Sequence, residues 1–168
     1  QTAQVSSLLE GQVVSLGAEL GAAVRTGQVL ATIHAPALAQ AKTSFLQASA
    51  RAELTGREWE RARILVQQEA IDQKEAARRK GDFEQARTEA AVAESSLHSF
   101  GLDQAAVDAL LRRARQPGEG VLHDELADPY LKLTAPVTGR VIARDVIAGQ
   151  HILPDRALFT VSDLSTLW

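Results

Sequence analysis

At 168 residues the chain can bury one sizeable core or two smaller ones, and its formal net charge of −3, with 14 of 18 basic residues arginine, offers no broad basic face for nucleic acid. Cysteine is absent, which excludes disulfide frameworks, thiolate metal sites and thiol nucleophiles while leaving the compartment open. No run approaches the roughly 20 apolar residues of a membrane-spanning helix, and no charged-then-apolar leader opens the chain. The chain begins inside an expected strand and stops at Leu167-Trp168, which reads as a fragment of a longer protein with its targeting signal and flanking domains outside it.

Residues 1–35 read as a small sheet-forming half. Gly11 precedes the β-branched Val13-Val14, Gly21 follows ten residues after Gly11, and Val29-Leu30-Ala31-Thr32-Ile33 is a short apolar strand. Gly21 stands where a turn favours positive φ, a region glycine enters without a Cβ clash.

From Pro36, a residue suited to a first helical turn, the period changes. Leu38, Ala41, Phe45, Ala48, Ala52, Thr55, Trp59, Ala62 and Val66 alternate in steps of three and four, which is a heptad seam. Ala76, Arg79, Phe83, Ala86, Ala90, Ala93, Leu97 and Phe100 form a second. In an antiparallel hairpin the numbers of facing residues share a constant total. Phe45 with Leu97, Ala52 with Ala90, Trp59 with Phe83 and Val66 with Ala76 all give 142, which centres the turn on Ile71. The spacing therefore predicts a two-stranded coiled-coil hairpin over 36–100, with arms roughly 45 to 50 Å long at 1.5 Å per residue. A connection alone needs far fewer residues, so the length points to reaching a partner. The outward faces, rich in Arg, Glu and Gln, suit solvent or polar contacts.

Residues 101–129 open with Gly101 as the C-terminal cap of the second arm. Asp103 then caps a short helix reaching about Arg115, and a loop rich in Gly, Pro and acids runs from Gln116 to Pro129. Within it, His123-Asp124-Glu125 with Asp128 is either a divalent-ion site or a solvated loop.

Residues 130–162 repeat the first half: positions 11 to 33 recur at 139 to 161 with a gapless offset of 128. Gly11 matches Gly139, Val13 Val141, Gly21 Gly149, Val24 Ile152, Leu30 Leu158 and Ile33 Val161. Asp155 replaces Gly27 and is among the few residues that tolerate the same turn. Each half alone exposes an apolar face and open edges, so the two are expected to close as a two-fold sandwich. The fold class expected is α+β, a sandwich of two half-motifs interrupted by a long antiparallel hairpin.

Ordinary enzyme chemistry finds no support. There is no phosphate loop, no metal-binding pair and no nucleophile-centred motif. His34, His98, His123 and His151 stand far apart in sequence, and without Met or Cys there are no soft ligands for monovalent copper or silver. No metal ligand or cofactor is assigned.

Two glycine-turned halves resemble the lipoyl or biotinyl carrier domain, whose modified Lys sits on the turn joining them. Here that join is Ile33-His34-Ala35-Pro36, and the only lysines are Lys42, Lys74, Lys80 and Lys132. Interrupted at that join by a hairpin, the module resembles the periplasmic adaptor, or membrane fusion protein, of tripartite efflux pumps. The resemblance rests on the order half-module, hairpin, half-module, on Leu133-Thr134-Ala135-Pro136-Val137-Thr138-Gly139-Arg140-Val141, and on the ending Leu158 to Trp168. It implies that 163–168 begins a β-barrel domain, and the phrasing of the halves is most similar to heavy-metal resistance-nodulation-division systems. It further implies a non-enzymatic periplasmic protein associated with the inner membrane. The implied partners are an inner-membrane transporter, an outer-membrane channel and further copies in a ring, with no cofactor.

The family's hairpins carry an Arg, a Leu four residues on and a Ser seven further on, which dock on the channel. Arg61 and Leu65 match, and Asp72 stands in place of the Ser, without the hydroxyl donor and with added charge. The alternatives are a solvated Arg61, a Leu65 flanking the seam and an Asp72 that only caps the second arm. An adaptor for a drug or type I secretion exporter, and a carrier domain, stand as other readings of the whole chain.

Overall fold

The computed structural model describes residues 2–115 and 127–163. The His123-Asp124-Glu125 segment and the ending after Asp163 lie outside the described residues. The chain divides into two compact units, one running to Ala39 and resuming at Ala127, the other beginning at Gln40.

The described residues of the first unit form eight strands: β1 (Thr2–Ser6), β2 (Gly11–Leu16), β3 (Ala23–Val24), β4 (Val29–His34), β5 (Tyr130–Thr134), β6 (Gly139–Arg144), β7 (His151–Ile152) and β8 (Ala157–Ser162). The offset of 128 maps each of the first four strands onto one of the last four. It thus extends beyond the span legible in sequence, to β1 and β5, where little but Val5 and Leu133 betrays it. The strands form two sheets ordered β1-β8-β6-β3 and β5-β4-β2-β7. Each sheet takes two strands from each half, and the offset converts one order into the other. Neither half is a sheet by itself.

The core obeys the same relation. Val5 and Leu133, Val13 and Val141, Val24 and Ile152, Leu30 and Leu158, Ile33 and Val161 are five equivalent pairs, all buried. Alternation along β2, with Val13 buried and Val14 exposed, gives one face to the interior. Backbone hydrogen bonds repeat too: Gly21 N donates to Val141 O and Gly149 N to Val13 O, each at 2.8 Å. These bonds tie each turn to the other half. Gly21 and Gly149 have φ of 84° and 83°, and Asp155 accepts φ 64° where Gly27 has 81°, so the substitution preserves the turn.

The described residues of the second unit are built on three helices. Helix α1 (Pro36–Gln67) starts in the first unit and continues into the second, where it is followed by α2 (Gln73–Ser99) and α3 (Gln104–Arg115). At 1.5 Å rise per residue, α1 and α2 are about 48 and 40 Å long. Every predicted seam residue on both arms is buried or half-buried, with Ala62 and Ala86 fully buried. Phe45 and Leu97 meet in one cluster, as the facing register requires, while the Phe83 ring lies over Gly56, where a Cβ would come within 3.1 Å of it.

The pairing differs from a purely two-stranded coil in one respect. Val107 and Leu110 of α3 join Phe45 and Leu97, with Leu102 and Leu111 packed alongside. Gly101, at φ 88°, reverses the chain after α2, and Asp103 caps α3 by accepting from Ala106 N at 2.8 Å. Arg115 to Glu53 at 3.5 Å and Gln104 to Glu94 at 3.0 Å add polar contacts from α3 to both arms. A third helix thus covers the apolar end of the hairpin, which two narrow seams alone would leave partly wet.

Candidate functional site

The arms are joined at residues 68–72. Glu69 turns the chain with φ 56°, and Ala70 N donates to Leu65 O at 2.9 Å. Asp72 then starts α2: its backbone is extended and its Oδ1 accepts from Glu75 N at 2.7 Å.

A groove runs between the arms beside this turn, lined by Glu58, Arg61 and Leu65 from α1 and by Glu75, Arg78, Arg79 and Asp82 from α2. Arg61 and Leu65 share it because residues four apart lie on one helical face. Leu65 is half-buried and supplies its apolar surface, whereas Arg61 is exposed. Arg79 is paired with Glu75 at 2.9 Å, and Arg78 with Asp82 at 3.9 Å. Arg61 and Glu58 have no ion-pair partner among the described residues. The groove therefore presents one uncommitted cation and one uncommitted anion, three residues apart.

Of the three residues singled out from sequence, Arg61 and Leu65 are brought together in this groove. Asp72 is not among its lining residues, and one of its oxygens is committed to the cap. Arg61 also borders a shallower strip on the outer face of α1, with Leu54, Arg57, Glu60 and Ile64. Sequence reasoning missed the α2 side of the groove. In sequence Arg79 stands only as a seam position, and its charge is the signal that the seam changes character there.

In the first unit a cleft is bordered by Arg25, Gln28, Thr138, Arg140 and Asp163. At the turn where a carrier domain keeps its Lys, His34 packs edge-on to Tyr130 with centroids 5.7 Å apart, and Ala35 N donates to Pro129 O at 2.8 Å. Lys132 is exposed within β5, paired in register with Thr32, away from any turn. His98 Nδ1 lies 2.8 Å from Leu102 O, and His151 lies 3.5 Å from Glu10. Among the described residues no three His, Asp or Glu side chains gather in a metal-binding group. No described helix is long and apolar enough to cross a membrane.

A two-sheet sandwich of interleaved halves, interrupted between β4 and β5 by helices, defines the class of barrel-sandwich hybrids. The family model described as CzcB-like, barrel-sandwich hybrid domain matches residues 1–163, and the chain belongs to that family. It is similar to the cobalt-zinc-cadmium resistance protein CzcB of Cupriavidus metallidurans, 26% identical over 168 residues, which are 100% of this chain and 29% of that protein. It is likewise similar to the nickel-cobalt-cadmium resistance protein NccB of Alcaligenes xylosoxydans xylosoxydans, 29% identical over 95% of this chain and 35% of that protein. The chain thus spans about a third or less of the length of these curated relatives. Among solved structures, ZneB from Cupriavidus metallidurans superposes with a TM-score of 0.66 at 27% identity, covering 98% of this chain and 61% of that one. A MacA–MexA chimera carrying the Pseudomonas aeruginosa MexA α-hairpin domain shares the fold, with a TM-score of 0.60 at 21% identity over 98% of this chain and 48% of that one.

Proposed function

We propose that this chain is the sandwich and hairpin portion of a periplasmic adaptor that links an inner-membrane efflux transporter to an outer-membrane channel, exporting heavy-metal cations. The observation that carries the reading is a long, capped hairpin with a polar groove at its turn, inserted where a carrier domain would keep its Lys. The resistance to cobalt, zinc, cadmium and nickel named for its relatives supports the metal cargo.

In this reading the protein is not an enzyme. The hairpin turn meets the channel through Arg61 and Leu65, with Asp72 shaping the turn as the cap of α2. Sandwich modules of several copies sit side by side in a ring, so that weak contacts, repeated, add up to a durable assembly. The full-length protein works in the periplasm against the inner membrane.

The test is binding of the purified chain to the detergent-solubilised outer-membrane channel encoded beside it. Leu65→Asp and Arg61→Glu are each expected to weaken binding at least tenfold with an unchanged far-UV circular dichroism spectrum. Wild-type affinity in both variants would overturn the assignment of the docking site.

A further inference from the structure

The seam of α2 is apolar or small at every predicted position except Arg79. A charged residue there is costly, because seam positions of a coiled coil are stabilised by burying apolar surface, and a polar one is retained at a stability cost when it specifies something else. Arg79 resolves the conflict by position. Its side chain is 34% exposed, its guanidinium is held along α2 by Glu75 at 2.9 Å, and it lines the groove that contains Arg61 and Leu65. Half-buried and bordering the groove, such a side chain can keep its apolar stem on the seam and its charged head in water.

Ala62, which faces Arg79 in the seam, is fully buried, and Ala76, one layer nearer the turn, is nearly so. The groove runs alongside this closed stretch of seam, and Arg79 borders it. A leucine at position 79 would fill that space with apolar surface and draw the arms together, as leucines do elsewhere in such seams.

We propose that Arg79 is a positioning residue that keeps the groove at the hairpin turn open and polar, at the expense of hairpin stability, for a helical segment of the partner. The segment's chemistry follows from the two charges left uncommitted. It sets a carboxylate against Arg61 and a basic side chain against Glu58, about one helical turn apart, with an apolar side chain over Leu65 on the turn side of the carboxylate. Arg79 is already paired with Glu75 at 2.9 Å, and Arg78 lies 3.9 Å from Asp82, so Arg61 and Glu58 are the groove charges without an ion pair among the described residues. The inference rests on the docking reading above, and names the residue that shapes the docking groove and the kind of surface it accepts.

Arg79→Leu and Arg79→Lys in this chain test it, with thermal unfolding and titration against the same solubilised channel. Arg79→Leu is expected to raise the thermal midpoint while weakening channel binding at least tenfold, a combination that an ordinary loss of structure does not produce. Arg79→Lys is expected to retain binding within about threefold of wild type, since the charge and long stem remain. A lowered midpoint, or undiminished binding, in Arg79→Leu overturns the proposal. If Arg61→Glu and Leu65→Asp abolish binding in the same assay while Arg79→Leu does not, the docking reading stands and this inference alone fails. If none of the three affects binding, both fail.

Discussion

Asp72 stands at the start of α2 and caps it. Its Oδ1 accepts from Glu75 N at 2.7 Å, which satisfies one of the donors left free at a helix start. Removing such a cap costs about 1 kcal/mol, so Asp72→Ala is expected to lower the stability of the hairpin by that amount in denaturant titration. Asp72→Ser, which keeps an acceptor, is expected to stay within a few tenths of a kcal/mol of wild type. Equal destabilisation by both substitutions would show that the cap is not what the carboxylate supplies. Gly139 is a different case: a Cβ there would lie 2.3 Å from Ser162 O, and its counterpart Gly11 would place one 2.5 Å from His34 O. Backbone cannot retreat as a side-chain end can, which explains why glycine is found at both equivalent positions.

At the scale of elements, the hairpin depends on its third helix. Leu97 and Val107 are fully buried and Phe45 nearly so, in a cluster contributed by all three helices. Leu97→Ala is expected to destabilise the second unit by about 2 to 5 kcal/mol, the usual range for a leucine truncated in a packed core. The measurement is an unfolding titration followed by helical circular dichroism. Val107→Asp puts an unpaired carboxylate into the same cluster and is expected to release α3, seen as faster amide exchange in α3 than in the turn-proximal halves of α1 and α2. Uniform exchange across the hairpin would contradict a local role for α3. Nearer the turn Arg79 interrupts the apolar seam, with Val66 and Ala76 still covered beyond it.

For the whole molecule, the interleaving of halves decides what can be removed. All eight strands pair within the first unit, and His34 lies opposite Tyr130 in register, with Ala35 N bonded to Pro129 O. The chain therefore leaves and re-enters the sandwich at adjacent points. Replacing Gln40–Leu126 with a flexible Gly/Ser linker of about ten residues, enough to close a short gap, is expected to yield a folded all-β protein with a cooperative melt. An unfolded product would mean that the sandwich needs the helices to form. The converse deletion, of β5 to β8, is expected to unfold the first unit entirely, because each sheet loses two of its four strands.

Local features were legible in the sequence because they depend on residues close along the chain. Positive φ at Gly21, Gly149 and Asp155, the caps at Asp72, Gly101 and Asp103, the first helical turn at Pro36 and the seam period all follow from sterics and spacing within a few residues. The offset of 128 also announced a two-fold sandwich, since equal sequences fold alike. Only the tertiary structure decided that the two halves exchange strands, that α3 joins the hairpin, and that Arg61 and Leu65 share a groove with Arg79 while Asp72 stands apart. Those outcomes depend on which surfaces meet across long separations in sequence. There, burial and the competition between apolar packing and charge choose the partner, and no spacing rule records that choice.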